Sequence, residues 1–130
     1  MPTIFTRIIN GEVPSYKIFE DDHTFAFLDI KPFNLGHTLI VPKAEVDYFM
    51  NVPEPYYSAV FQAAKKIAPA LHKASGCVRV GAVIAGFEVP HFHYHLIPLF
   101  GIEDINFNKA RMRSEEEMQN MHAKILQLLM

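Results

Sequence analysis

The chain reads as an α+β fold built on a mostly antiparallel five-stranded sheet. Three observations predict it. Short apolar or alternating runs are separated by turn residues, and one long segment has apolar residues at helical spacing. Most connections are also short enough for antiparallel neighbours.

The elements follow in chain order. "YKIFE" (16–20) and "TFAFLDI" (24–30) flank Asp21 and Asp22, which reads as a β-hairpin. "KPFNLG" (31–36) supplies breakers, and "HTLIVP" (37–42) reads as a third strand ended by Pro42. From Glu54 to Ser75, Tyr57, Val60, Phe61, Ala64, Ile67, Ala68 and Leu71 recur at helical intervals, with Gly76 as the stop. Pro69 inside this helix lacks a donor and crowds the carbonyl four residues back, which predicts a kink or an early end after Ile67. "VRVGAVIAG" (78–86) and "HFHYHLIP" (91–98) read as two further strands. Ser114 and Glu117 have the spacing of a capping box, and Met118, Met121, Ile125 and Leu128 predict a C-terminal amphipathic helix over about 114–129.

Composition narrows the function classes. The 130 residues suit one domain spanning 1–130, with half of them hydrophobic and no internal repeat or linker. A net charge of −2 without a basic stripe argues against a nucleic-acid partner. The single cysteine, Cys77, cannot form an internal disulfide and fits a reducing compartment. The N-terminal stretch has no signal-peptide pattern, and no apolar run approaches the roughly 18 residues of a membrane span. A cytoplasmic protein without membrane association is expected.

The chemistry concentrates in "VPHFHYHLIP" (89–98), where His91, His93 and His95 alternate with Phe92, Tyr94 and Leu96. In a strand, alternation sends the apolar residues to the core and lines the histidines along the other face, roughly 6.5–7 Å apart. Three readings compete: a histidine-rich solvated face, a zinc site of His93 and His95 with His37, and nucleophilic catalysis by a neutral imidazole. Spacing alone does not choose between them.

"HFHYHLIP" resembles the His-φ-His-φ-His-φ-φ signature of the histidine triad (HIT) family, φ being apolar. "IFTRIINGEVPSYKIFEDDHTFAFLDIKPFNLGHTLIVPK" resembles the family's N-terminal half, so the resemblance covers about residues 3–99. It implies a HIT-like fold with a long central helix, and a nucleotide hydrolase or transferase acting at the α-phosphate of nucleoside 5′-phosphoramidates or related adenylyl and guanylyl conjugates. His93 is the implied nucleophile, forming a covalent nucleotidyl-histidine. His95 is implied to contact the phosphate and help protonate the leaving group, His91 to fix the tautomer of His93 through its carbonyl, and His37 to lie beside the triad. Asp29 matches the acidic residue that takes the ribose hydroxyls. Phe5, Ile8, Val13, Phe27, Leu28, Ile30 and Leu39 match positions that form the base pocket. A purine nucleotide ligand and a homodimer are also implied, with Tyr56, Tyr57 and Phe61 as candidate dimer contacts.

The departures are specific. Where many relatives have Cys-x-x-Cys and a histidine that hold structural zinc, this chain has Thr3, Thr6 and Glu45, so no metal and no cofactor is expected. Phe87 replaces a glutamine that donates to the phosphate, Glu88 follows it, and the family's asparagine has no match. Arg79 and Glu88 are therefore candidate phosphate contacts. The losses keep a second reading open, a nucleotide-binding or interaction protein with little catalysis, and a metal-dependent hydrolase is the third.

Overall fold

The computed structural model describes residues 2–130. Five strands form one antiparallel sheet in the order β1-β2-β3-β5-β4: β1 Lys17–Glu20, β2 Thr24–Leu28, β3 Thr38–Pro42, β4 Arg79–Val83 and β5 Tyr94–Leu99. Among the described residues, three α-helices complete the α+β fold: α1 Ile4–Ile9, α2 Tyr56–Ser75 and α3 Glu115–Leu129.

The first hairpin turns where the sequence places it. Asp21 Oδ1 accepts from the amides of His23 and Thr24 at 2.8 and 2.7 Å and from the Thr24 hydroxyl at 2.8 Å. One carboxylate thereby satisfies the donors that a tight turn leaves free. β2 ends at Leu28, short of the expected Ile30: Asp29 still donates its amide to the His37 carbonyl at 2.9 Å, but its Oδ1 accepts from the amide of Lys31 at 2.9 Å and starts the turn.

β2 and β3 are buried along their whole lengths, so neither shows an exposed face. Ala26, Leu28 and Ile40 pack in the main core with Val60, Ile67 and Leu71 of α2. Phe25, Phe27, Leu39 and Val41 form a second cluster on the opposite face with Phe5 of α1. Both sheet faces are covered, one by the long helix and the other by the short one.

Helix α1 was not among the expected elements. Its signals are present: Thr3 caps it by accepting from the Thr6 amide at 3.1 Å, and Gly11 follows with φ 79°. Its six residues are too few to show a period, and only packing of Phe5 on the sheet holds it.

The expected break at Pro69 does not end α2, which continues to Ser75 and stops at Gly76 in the left-handed conformation, φ 68°. Pro69 and Lys65 both face solvent, so water can take the Lys65 carbonyl that Pro69 leaves without a donor. Buried Ile67, Ala70, Leu71 and Ala74 hold the helix on either side of it. Of the candidate dimer contacts, Tyr56 packs against the core, whereas Tyr57 and Phe61 remain at the edge, with Phe61 4.8 Å from the ring of Tyr94.

The last two strands are shorter than their apolar runs. β4 stops at Val83, and β5 begins only at Tyr94, leaving His91, Phe92 and His93 in an irregular segment. At α3 the capping box forms as read. Ser114 Oγ accepts from the Glu117 amide at 3.1 Å, and Glu117 Oε1 accepts from the Ser114 amide at 3.2 Å. Met118 and Ile125 are buried, but Leu128 is exposed and Leu129 packs in its place.

Candidate active site

The β3–β5 register decides which face of the sheet carries the chemistry. His95 pairs with Leu39, and Tyr94 with Ile40, so His95 shares the face of Leu39, Phe27 and Phe5 while Tyr94 faces the α2 side. His93, two residues earlier, lies beside it, with ring centroids 5.0 Å apart. Both imidazoles are nearly fully buried. The solvated-face reading is therefore overturned.

A cleft of about 280 Å³ opens over this pair, lined by Phe5, Asp29, Lys31, Phe33, Leu39, Glu88, Val89, His93, His95, Phe107 and Ala110. Asp29, His37, His93 and His95 converge here from three separate segments.

Hydrogen bonds assign the ring protons. The Phe33 amide donates to His37 Nδ1 at 3.1 Å, which leaves the proton of the neutral His37 ring on Nε2. That Nε2–H reaches His95 Nδ1 at 2.9 Å, so neutral His95 carries its own proton on Nε2. His95 Nε2 is buried and has no hydrogen-bond partner among the described residues. It is a donor aimed into the cleft without an acceptor, an arrangement that typically costs about 1–3 kcal/mol until one arrives.

His93 is set the opposite way. Its Nδ1–H donates to the His91 carbonyl at 2.8 Å, leaving the lone pair of the neutral ring on Nε2. Thus one imidazole presents a lone pair and its neighbour presents a proton.

Burial keeps the supporting rings neutral. It pushes His37 from the ordinary 6.5 down to about 3, with His95 and His93 adding to the effect. Burial, then His93, holds His95 down to about 4 despite the opposing carboxylate of Glu88. Burial also raises the Asp29 carboxyl above its usual range.

His91 does not face the cleft. Its Nε2–H donates to the Pro42 carbonyl at 2.8 Å, and its Nδ1 accepts from the Thr3 hydroxyl at 2.7 Å. Glu45 Oε1 in turn accepts from the Thr3 amide at 2.8 Å and the Thr6 hydroxyl at 2.6 Å. Thr3, Thr6, Glu45 and His91 therefore close into one hydrogen-bonded cluster that ties α1 to the strand end and to the segment before β5.

The expected base-pocket residues divide. Phe5 and Leu39 line the cleft, and Phe27 and Ile8 back them in the second cluster. Leu28 does not belong to it: adjacent strand residues point to opposite faces, and Leu28 lies in the core beneath α2. Ile30, past the strand end, is 54% exposed, and half-buried Val13 does not line the cleft.

Arg79 is also displaced from the expected role. It pairs with Leu99, whereas Val83 pairs with His95, so four residues, roughly 13 Å of strand, separate it from the histidines. Phe87 is 95% exposed, while Glu88 turns inward, its Oε2 3.8 Å from His93 Nε2 and its Oε1 3.7 Å from His95 Nε2.

Lys31, Phe33, Val89, Phe107 and Ala110 were missed in the sequence. Phe33 lies within the turn "KPFNLG", where an aromatic residue signals no periodicity, yet its ring sits 4.6 Å from that of His37. Phe107 lies in a single 3₁₀ turn, with its ring 5.0 Å from Phe33 and 6.0 Å from His95. Asp104 shapes that segment by accepting from the Phe100 amide at 2.8 Å and pairing with Lys109.

Among the described residues, two sets could be considered for a metal: Asp29, His37 and His95, or Glu88, His93 and His95. Both need a lone pair that the bonding has used. His37 accepts at Nδ1 and donates at Nε2, and His95 accepts at Nδ1 and so carries hydrogen on Nε2. A metal ligand needs an unprotonated ring nitrogen, so neither set offers three free donors.

Comparison with known proteins agrees with this architecture. The HIT domain family model matches residues 10–102. An uncharacterized HIT-like protein of Borreliella burgdorferi is 40% identical over 114 residues, covering 82% of each chain. Adenosine 5′-monophosphoramidase HNT1 of Saccharomyces cerevisiae is 38% identical over 96 residues, 73% of this chain and 61% of that one. The crystal structure of a HIT-like protein involved in cell-cycle regulation from Bartonella henselae, with an unknown ligand, superposes with a TM-score of 0.84 at 30% identity, covering 96% of this chain and 94% of the other. A lone-pair histidine beside a proton-bearing histidine, on a five-stranded sheet matched through sequence and structure, places this chain in the histidine triad family.

Proposed function

We propose that the protein is a nucleotide hydrolase or transferase that cleaves nucleoside 5′-phosphoramidates or related adenylyl and guanylyl conjugates through a nucleotidyl intermediate on His93. The observation that carries this reading is the opposed tautomers of His93 and His95. It is supported by the name of the yeast relative, an adenosine 5′-monophosphoramidase.

His93 Nε2 supplies the electron pair and attacks the α-phosphorus, while the bond to the leaving group breaks and its pair departs with that group. The His91 carbonyl stabilises the positive charge that develops at His93 Nδ1–H. His95 Nε2–H donates to a phosphate oxygen, giving the unpartnered donor its acceptor. His37 fixes the orientation of that donor. Because His37 has no further proton source behind it, only the Phe33 amide, His95 is better suited to hydrogen bonding than to full proton transfer. Water then attacks phosphorus, the pair returns to Nε2, and one proton passes to solvent.

Asp29 in this reading accepts from the ribose hydroxyls with Oδ2, its Oδ1 being engaged by Lys31. Phe5 and Leu39 flank the nucleoside. A homodimer is part of the same reading: β4 is an edge strand of the sheet, and Tyr57 and Phe61 stand at the surface edge of α2. Light scattering should then give twice the 14.9 kDa chain mass.

Intact mass spectrometry during turnover of adenosine 5′-phosphoramidate tests the chemistry. One nucleoside monophosphate should be found on the parent protein and none on His93→Ala. Undiminished turnover by His93→Ala would exclude the mechanism, and nucleotide binding without adduct or turnover would favour a binding protein.

A further inference from the structure

We infer that Glu88 is a specificity-determining residue that selects amine leaving groups over anionic ones, an inference that rests on the nucleotidyl-histidine reading above. Glu88 is the acidic group that approaches both reactive nitrogens, 3.8 Å from His93 Nε2 and 3.7 Å from His95 Nε2. Neither distance is a hydrogen bond, and its ion-pair contacts among the described residues are with these two histidines alone. Its side chain is 40% exposed, so it borders the open side of the cleft. Glu88 shares that cleft with one cationic side chain, Lys31, and Lys31 forms no ion pair with it among the described residues.

A phosphoryl group bound to His93 Nε2, with one of its oxygens accepting from His95 Nε2–H, lies close to this carboxylate. The charge on the α-phosphate is common to all nucleotidyl substrates and cancels when they are compared. What differs is the group attached to phosphorus. A phosphoramidate reacts once its bridging nitrogen has taken a proton from solvent at the open side of the cleft: the P–N bond breaks, its pair stays on nitrogen, and a neutral amine leaves as the His93 Nε2–P bond forms. The nitrogen is cationic when it reacts, and the carboxylate attracts it. An anhydride leaves as an anionic phosphate or polyphosphate, which the same carboxylate repels.

Glu88 lies in the segment between β4 and β5, where its carboxylate borders both reactive nitrogens. The adjacent Phe87 is 95% exposed and carries no polar side-chain group to hold an extra phosphate.

The test compares Glu88→Gln, which keeps the shape and removes the charge, with Glu88→Asp and the parent. Two readouts are needed. In the first, kcat/KM is measured for an adenosine 5′-phosphoramidate of a simple alkylamine and for a diadenosine polyphosphate. The amine-to-polyphosphate ratio should fall by about tenfold or more in Glu88→Gln and be partly restored in Glu88→Asp. In the second, calorimetric Kd values for AMP and ADP are compared, which needs no turnover. ADP should bind more weakly than AMP to the parent, and Glu88→Gln should narrow that gap by about tenfold.

An unchanged ratio in both readouts overturns the assignment while leaving the histidine chemistry intact. Absence of turnover with a narrowed AMP-to-ADP gap would instead refute the catalytic reading and retain Glu88 as a charge filter for ligands. A loss common to both substrates, with no change in their ratio, would mark Glu88 as merely structural.

Discussion

The Nε2 of His37 lies 2.9 Å from the Nδ1 of His95, and this contact decides what His95 can do. With the Phe33 amide donating to the other nitrogen of His37, the proton of His95 is directed to the cleft. Replacing His37 by Phe leaves His95 Nδ1 buried without its donor and frees the ring to change tautomer. kcat should fall by about a hundredfold, the loss expected for one transition-state donor, while AMP affinity falls less. Steady-state kinetics beside calorimetric binding of AMP checks this, and an equal loss in both would contradict the positioning role.

Acid should destabilise the fold before the ordinary carboxylates titrate. His37 and His95 take up protons near 3 and 4 when folded, because burial disfavours their charged forms, against 6.5 for an ordinary histidine. Their depressed values mean that the unfolded chain binds more protons below that ordinary value. The stability they contribute is fully present above about pH 6.5 and falls as the pH is lowered toward about 4, by at most about 1.4 kcal/mol per pH unit for each ring. Urea midpoints between pH 7 and pH 5 should decline in the parent and decline less steeply in His37→Gln.

Phe107 reaches the cleft from a segment outside the matched family region, and its ring closes on Phe33 and His95. Truncation to Ala should weaken AMP binding by about fivefold, the equivalent of about 1 kcal/mol for a half-buried ring, with kcat little changed. Substitution of Asp104 by Ala should have a similar effect without touching the cleft, since Asp104 holds the preceding turn. Titration with AMP distinguishes both from a change in the chemical step.

Thr3 serves two structures through one oxygen. Its Oγ accepts from the Thr6 amide as the cap of α1 and donates to His91 Nδ1 in the cluster with Glu45. Thr3→Ala removes both bonds and leaves a buried ring nitrogen unpaired, so unfolding should cost about 1–3 kcal/mol less in urea. Thr3→Ser keeps the hydroxyl and should stay within about 0.5 kcal/mol of the parent.

Much of the fold was legible because its signals are local. The Asp21 turn, the Ser114 and Glu117 box and the apolar stripe of α2 each lie within a few residues of the partners they need. Alternation put His91, His93 and His95 on one face; His93 and His95 do share the cleft, but the strand starts only at Tyr94 and His91 turns instead to Thr3 and the Pro42 carbonyl. Pro69 misled because its penalty depends on whether water can reach the orphaned carbonyl, which is a property of the folded surface. Leu28 misled because a match in register does not specify which sheet face a residue occupies, and Arg79, offered only in place of an unmatched asparagine, lies at the far end of its strand.

By itself, the sequence showed the strand and helix segments in chain order, through period-two and helical spacing, and its resemblance over about residues 3–99 pointed to the family and to the histidines of interest. Only the tertiary structure decided the proton positions. His95 is oriented by His37, 58 residues earlier, and His91 by Thr3, 88 residues earlier, so the tautomers arise from contacts that exist only once the sheet has closed. The same holds for Glu88 and Phe107: nothing in their local sequence directs them to the cleft, and packing brings both there.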